Sequence, residues 1–290
     1  MKTNTITMKS TVKCLVPGLV FALGLSAGAQ ITFEPAQGYT LGALSPGTSA
    51  NAPFSGQQGW SESTSSDPGA MLATTSSGAY VGGQALGATT SAYIGLNQGY
   101  SLGSQFSFDL YTGDNDKGGV GAGYVGTLAG GNFQQATAPL YVGLAAGSGA
   151  PVFAVRSAGL GTTFSTGVAS TMDNWYQYNV TLNDASQSVD FSVFDLTTDS
   201  AVSFAGASGN LSAGPDYLVD LSSSQYGAGY DSATSTGVFA RATATSGAGN
   251  SILIDNIVAT PEPGTLSLAG VGVLCILIHQ YRRHVKSSLR

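Results

Sequence analysis

Trp175-Tyr176-Gln177-Tyr178-Asn179-Val180-Thr181-Leu182 places Tyr176, Tyr178, Val180 and Leu182 on one side of an extended chain, and Trp175, Gln177, Asn179 and Thr181 on the other. That period of two marks a strand with one face in a core. Phe106, Phe108 and Leu110 repeat it, as do Leu140, Val142 and Leu144, and then Val189, Phe191 and Val193. Shorter candidates lie at residues 31–34, 79–81, 92–95, 124–128, 152–156, 202–204, 217–221, 238–242 and 252–258. Turn-forming clusters separate them, at 113–119, at Gly147-Ser148-Gly149 and at Asn183-Asp184-Ala185-Ser186. No convincing helical pattern occurs between Gln30 and Thr260, where Gly, Ser, Thr and Ala dominate. Many short strands at this spacing predict an all-β chain folded as an antiparallel sandwich or barrel. Their number favours a two-sheet antiparallel jelly-roll sandwich over a seven-stranded immunoglobulin-like one, which needs only about 100 residues.

The pattern changes at both ends. Lys2, Lys9 and Lys13 precede an apolar stretch at 15–25, and Ala27-Gly28-Ala29 offers small residues to a signal peptidase, so cleavage is expected after Ala29, leaving Gln30 first. Cys14 is not a lipoprotein cysteine, because Lys13 precedes it and the hydrophobic region follows it. At the other end Pro261-Glu262-Pro263 leads into an uncharged run at 264–278, followed by Arg282, Arg283, Lys286 and Arg290. As a helix this run covers about 22 Å against a hydrocarbon core of roughly 30 Å, which makes it a marginal span that Tyr281 and the arginines extend. The cations are expected to stay cytoplasmic, with residue 260 and everything before it outside. Three segments follow: a signal peptide at 1–29, a β-sandwich at 30–258, and a tail at 259–290 whose residues 264–281 hold the inner membrane before processing.

Stripped of its ends, the body keeps only Lys117, Arg156 and Arg241 against fifteen of the sixteen carboxylates, a charge near −12. Such a surface repels phosphate backbones, which excludes nucleic acid as a partner. Both histidines, His279 and His284, and both cysteines, Cys14 and Cys275, lie in the end segments. The body therefore lacks an imidazole nucleophile partner, a histidine metal ligand and a disulfide, and must be held by core burial.

The order Pro261-Glu262-Pro263, short apolar helix, arginine cluster resembles the PEP-CTERM sorting signal of Gram-negative bacteria. Thr265, Leu268 and Gly270 stand where that signal has a hydroxyl, an aliphatic and a small residue. The resemblance implies an exosortase, a membrane cysteine protease-transpeptidase, as partner. It also implies processing near Pro-Glu-Pro and delivery to the cell surface or exopolysaccharide matrix. The body is similar to the concanavalin A-like jelly roll of lectins and laminin-G modules in its opening Ile31-Thr32-Phe33-Glu34, its Trp175-Tyr176 strand start, its 189–196 strand entering Thr197-Thr198-Asp199, and its closing 252–257. That likeness implies the first strand lying beside the last.

Candidate chemistry is sparse. Glucanases on this scaffold need closely spaced glutamates, whereas the body has only Glu34 and Glu62. Asp190 and Asp195 fall on opposite faces of a strand and read as solvated edges. Asp114, Asn115 and Asp116 before Lys117-Gly118-Gly119 cluster oxygens as calcium requires, without the full loop pattern, and make Asp114 and Asp116 the candidate calcium ligands. Gly121-Ala122-Gly123-Tyr124-Val125-Gly126 fits a dinucleotide fingerprint by letters only, with no helix to hold a pyrophosphate, and reads as a glycine-rich turn entering a strand. Sugar contact needs aromatic faces beside amides. Trp175, Gln177 and Asn179 meet that condition on one strand face, and Trp60, Tyr111, Tyr226 and Tyr230 fall in loop-like contexts. No catalytic residue is expected. The sequence thus points to an exported, exosortase-sorted surface or exopolysaccharide-associated structural or adhesive protein; the alternative is a polysaccharide-active enzyme on the same scaffold.

Overall fold

The computed structural model describes residues 30–44, 56–62, 71–74, 83–88, 92–97, 103–123, 141–156, 163–183, 185–220, 237–242 and 252–260. The expected signal peptide with Ala27 and Ala29, the tail from Pro261 onward, the candidate strands at 79–81 and 124–128, and Tyr226 and Tyr230 lie outside the described residues.

The described residues form seventeen strands: β1 Gln30–Ile31, β2 Gly42–Ala43, β3 Trp60–Glu62, β4 Met71–Thr74, β5 Ala85–Ala88, β6 Ala92–Asn97, β7 Gln105–Thr112, β8 Gly118–Gly123, β9 Tyr141–Ala145, β10 Val152–Arg156, β11 Thr163–Ala169, β12 Asn174–Asn183, β13 Ser188–Asp195, β14 Ser200–Val202, β15 Tyr217–Asp220, β16 Gly237–Ala242 and β17 Ile252–Thr260. Among the described residues, helical structure is confined to two 3-10 turns, Pro35–Gln37 and Gln57–Gly59. The ten-stranded sheet runs β14-β13-β12-β7-β17-β5-β4-β2, with β1 added to β17 and β15 to β13; the seven-stranded sheet runs β11-β10-β9-β8-β16-β6-β3. The chain passes from one sheet to the other between β2 and β3, β3 and β4, β5 and β6, β6 and β7, β7 and β8, β11 and β12, β15 and β16, and β16 and β17. These nested antiparallel crossings make the two-sheet jelly roll expected from the sequence. The first strand does lie beside the last, with Gln30 opposite Val258 and Ile31 opposite Ile257.

The core is the row of side chains that the opening stretch assigned to the inside. On β12, Tyr176, Tyr178, Val180 and Leu182 are buried against Phe108, Phe191 and, from the opposite sheet, Phe153. Tyr178 stacks on Phe108 at 4.7 Å between centroids, while Phe153 meets Tyr176 edge-on at 5.2 Å and Phe204 at 5.5 Å. Edge and offset contacts suit the ring quadrupoles, and each buried ring contributes about 1.5–3 kcal/mol by transfer alone. Trp60 is no loop residue: it opens β3, is fully buried, stacks on Phe33 at 5.9 Å and donates its indole N–H to the Tyr39 hydroxyl at 2.9 Å.

Glycine-rich segments read as turns are strands where two backbones approach closely. Gly118 to Gly123 form β8, because a Cβ on Gly119 would overlap the Val142 carbonyl and one on Gly143 would overlap the Gly118 carbonyl. Only glycine permits that approach.

Candidate functional site

Alternation along β7, β12 and β17 sends a second set of side chains to the outer face of the ten-stranded sheet. There the register aligns two rows. Trp175 lies opposite Tyr111, and Tyr111 opposite Leu253; Gln177 lies opposite Asp109, and Asp109 opposite Asp255. An apolar row therefore sits directly beside a polar one.

In the apolar row Trp175 is 7% exposed and packs with Leu253 and Ala85, flanked by half-buried Tyr111 and Leu196. The Trp175 and Tyr111 rings lie 5.5 Å apart, tilted by 39°. Tyr111 belongs to β7, not to a loop, and donates its hydroxyl to Asp173 Oδ1 at 2.9 Å. Burial, together with that carboxylate, holds the phenol above its ordinary range. Of the sequence-derived sugar contacts, Trp175 is thus packed away, Gln177 is half-buried and Asn179 is exposed.

The polar row holds two carboxylates that the sequence reading missed. Asp109 is 1% exposed and Asp255 fully buried. A bulge in β17 between Asp255 and Val258 puts Asn256 at φ 49°, and its side-chain N–H donates to Asp109 Oδ2 at 3.2 Å while its carbonyl accepts from Gln30 at 2.5 Å. From the other side Gln177 Nε2 donates to Asp109 Oδ1 at 3.4 Å. Burial lifts the Asp109 carboxyl to about 6, and the two amides only partly offset this. The Asp255 Oδ1 accepts the Asn256 backbone N–H at 2.7 Å. A charged residue inside the run Phe106 to Leu110, and Asp255-Asn256 inside an apolar closing strand, were the available signals.

Asp195 is buried and not a solvated edge: its Oδ2 accepts from Asn174 at 2.7 Å, and its Oδ1 from the backbones of Thr197 and Thr198 at 2.9 and 3.0 Å, capping the turn after β13. Asp190 is exposed on the opposite face, as expected. In the 114–116 loop, Asn115 is tied to Gly147 by two hydrogen bonds, 2.9 and 3.0 Å, which fix the loop to the β9–β10 turn. Asp114 is exposed and Asp116 buried. Among the described residues, no three of His, Cys, Asp or Glu converge as a metal site.

The last strand carries the decisive comparison. Residues 259–283 match the PEP-CTERM protein-sorting motif. The chain carries a PEP-CTERM sorting signal. That motif implies export, a membrane-anchored sorting segment and processing by exosortase. It overlaps β17 by Ala259 and Thr260, which pair with Phe106 and Gln105 of β7, so the PEP-CTERM match begins inside the last strand of the sandwich. Similar solved structures include lectin II from Ulex europaeus, at 10% identity over 73% of this chain and 94% of that one with a TM-score of 0.38. The T. cruzi calreticulin globular domain is similar at 14% identity over 79% and 91%, with a TM-score of 0.38. Among curated proteins, none matches the chain.

Proposed function

We propose that the body between Gln30 and Thr260 is a non-catalytic structural or adhesive component of the cell surface or exopolysaccharide matrix, delivered there by its PEP-CTERM tail and in contact with glycan. The observation that carries this reading is the direct continuity of the central strand β17 with the sorting motif, which makes the sandwich itself the cargo. The acidic, histidine-free body supports it by disfavouring the commoner catalytic constellations.

One arrangement favours the enzyme alternative: Asp109 and Asp255 face each other in register and one of them is lifted towards neutrality, as a glycosidase acid must be. Both are sealed from solvent, which argues against their reaching a sugar. Incubating the mature protein with β-glucans and with host exopolysaccharide distinguishes the two readings. Retention without new reducing ends is the expected result; release of reducing ends abolished by Asp109→Asn would replace this reading with the enzymatic one.

A further inference from the structure

The segment joining β14 to β15 is a braced shelf between the edges of the two sheets. Asn210 organises it, donating to the carbonyls of Phe204 and Asp216 at 2.8 and 2.9 Å and accepting from the backbones of Ser212 and Leu218 at 2.9 Å each. The Tyr217 hydroxyl donates to the Ser208 carbonyl at 2.9 Å, and the Ser208 N–H donates to Thr166 of β11 at 3.1 Å. These bonds link β15 of one sheet to the edge strand β11 of the other.

Beside the shelf lies an open groove of about 470 Å³, within the size range of small-ligand sites. Phe164, Leu211 and Tyr217 supply apolar surface, and Ser165, Ser208 and Asp220 supply polar groups. Leu211 is 62% exposed although its N–H is fixed to the Leu218 carbonyl at 2.9 Å, so the apolar surface is presented on a preformed backbone and little ordering cost attends binding. The edge is acidic: Asp220 lines the groove, and Asp190 of β13 and Asp216, the residue before β15, are close enough to interact. Anionic ligands are disfavoured there. A neutral sugar ring fits this chemistry, with its C–H face on Phe164 and Leu211 and its hydroxyls towards serine and aspartate oxygens.

We propose that this groove binds a neutral saccharide unit of the matrix glycan. The inference rests on the glycan-contact reading above and locates that contact away from Trp175. The test titrates the full chain, in detergent micelles, with neutral gluco- and galacto-oligosaccharides and with an oligogalacturonate, and measures its retention on host exopolysaccharide in parallel. Neutral oligosaccharides are expected to bind and the acidic one not, with Leu211→Asp weakening neutral binding at least about tenfold at unchanged melting temperature. Phe164→Ala is the second variant, expected to weaken binding in the same direction. Neutral binding unaffected by either variant, preference for the oligogalacturonate, or retention on the polymer without oligosaccharide binding would each overturn the groove while leaving the matrix reading standing. Loss of both oligosaccharide binding and polymer retention would overturn the two together.

Discussion

Asp109 is a carboxyl group that the fold keeps from water and holds between two amide donors. Its pKa of about 6 lies above the ordinary 3.8, so between those values the unfolded chain releases a proton that the folded one retains. Stability therefore falls as pH rises from about 4 to about 6, by roughly 2 kcal/mol, and the loss persists above that range. Asp109→Asn is expected to flatten this part of the profile, read from urea midpoints at pH 4 to 8; an unchanged slope would assign it to another group. Tyr178 poses a simpler case, since its hydroxyl is buried with no hydrogen-bond partner among the described residues. Tyr178→Phe keeps the stack on Phe108 and removes the stranded polar atom, which should raise stability by about 1 kcal/mol, or the melting temperature by about 2–4 °C. The sequence showed which side of β12 each residue occupies, because alternation is a backbone property. It did not show that Trp175 would be covered, since burial of the outer face depends on Leu253 and Ala85 from strands distant in sequence.

At the scale of the strand, legibility follows side-chain size. β7, β12 and β13 were readable because aromatic and branched residues mark every second position. β3, β4, β5 and β11 were not, because alanine, glycine, serine and threonine give a weak period. The β8 glycines that suggested a turn, together with Gly143 inside the readable strand β9, are what lets the two strands pair, and this yields a test. Gly143→Ala must push the Gly118 carbonyl away or break the ladder, at a cost above about 2 kcal/mol. A melting temperature lowered by roughly 5–10 °C is expected, whereas a change within 1 °C would mean that the pairing is looser than described. Gly149, where an added Cβ meets nothing within 4 Å, is the control.

At the scale of the whole molecule, the two ends of the body leave side by side. β1 begins at Gln30 against Val258 of β17, and β17 is paired on one flank with β5 and β1 as far as Val258 and on the other with β7 as far as Thr260. Gln30 and Thr260, the described residues next to the two sequence-derived processing sites, therefore lie at one end of the sandwich. A cut within β17 would strip ladder bonds and the buried Ile257 and Ala259 from the central sheet, so processing is compatible with a folded body only from Thr260 outward. The mature surface protein is expected to begin at Gln30, to end at or beyond Thr260 and to lack Arg290, all measurable from its intact mass and terminal peptides. A chain ended after Thr260 should melt cooperatively, whereas one ended after Asp255 should not, because it loses the pairing of Val258 to Thr260 with β7 and of Ile257 and Val258 with β1. A surface form that keeps Arg290 would remove the sorting step, and cooperative folding of the shorter chain would remove the argument that β17 sets the limit of the cargo.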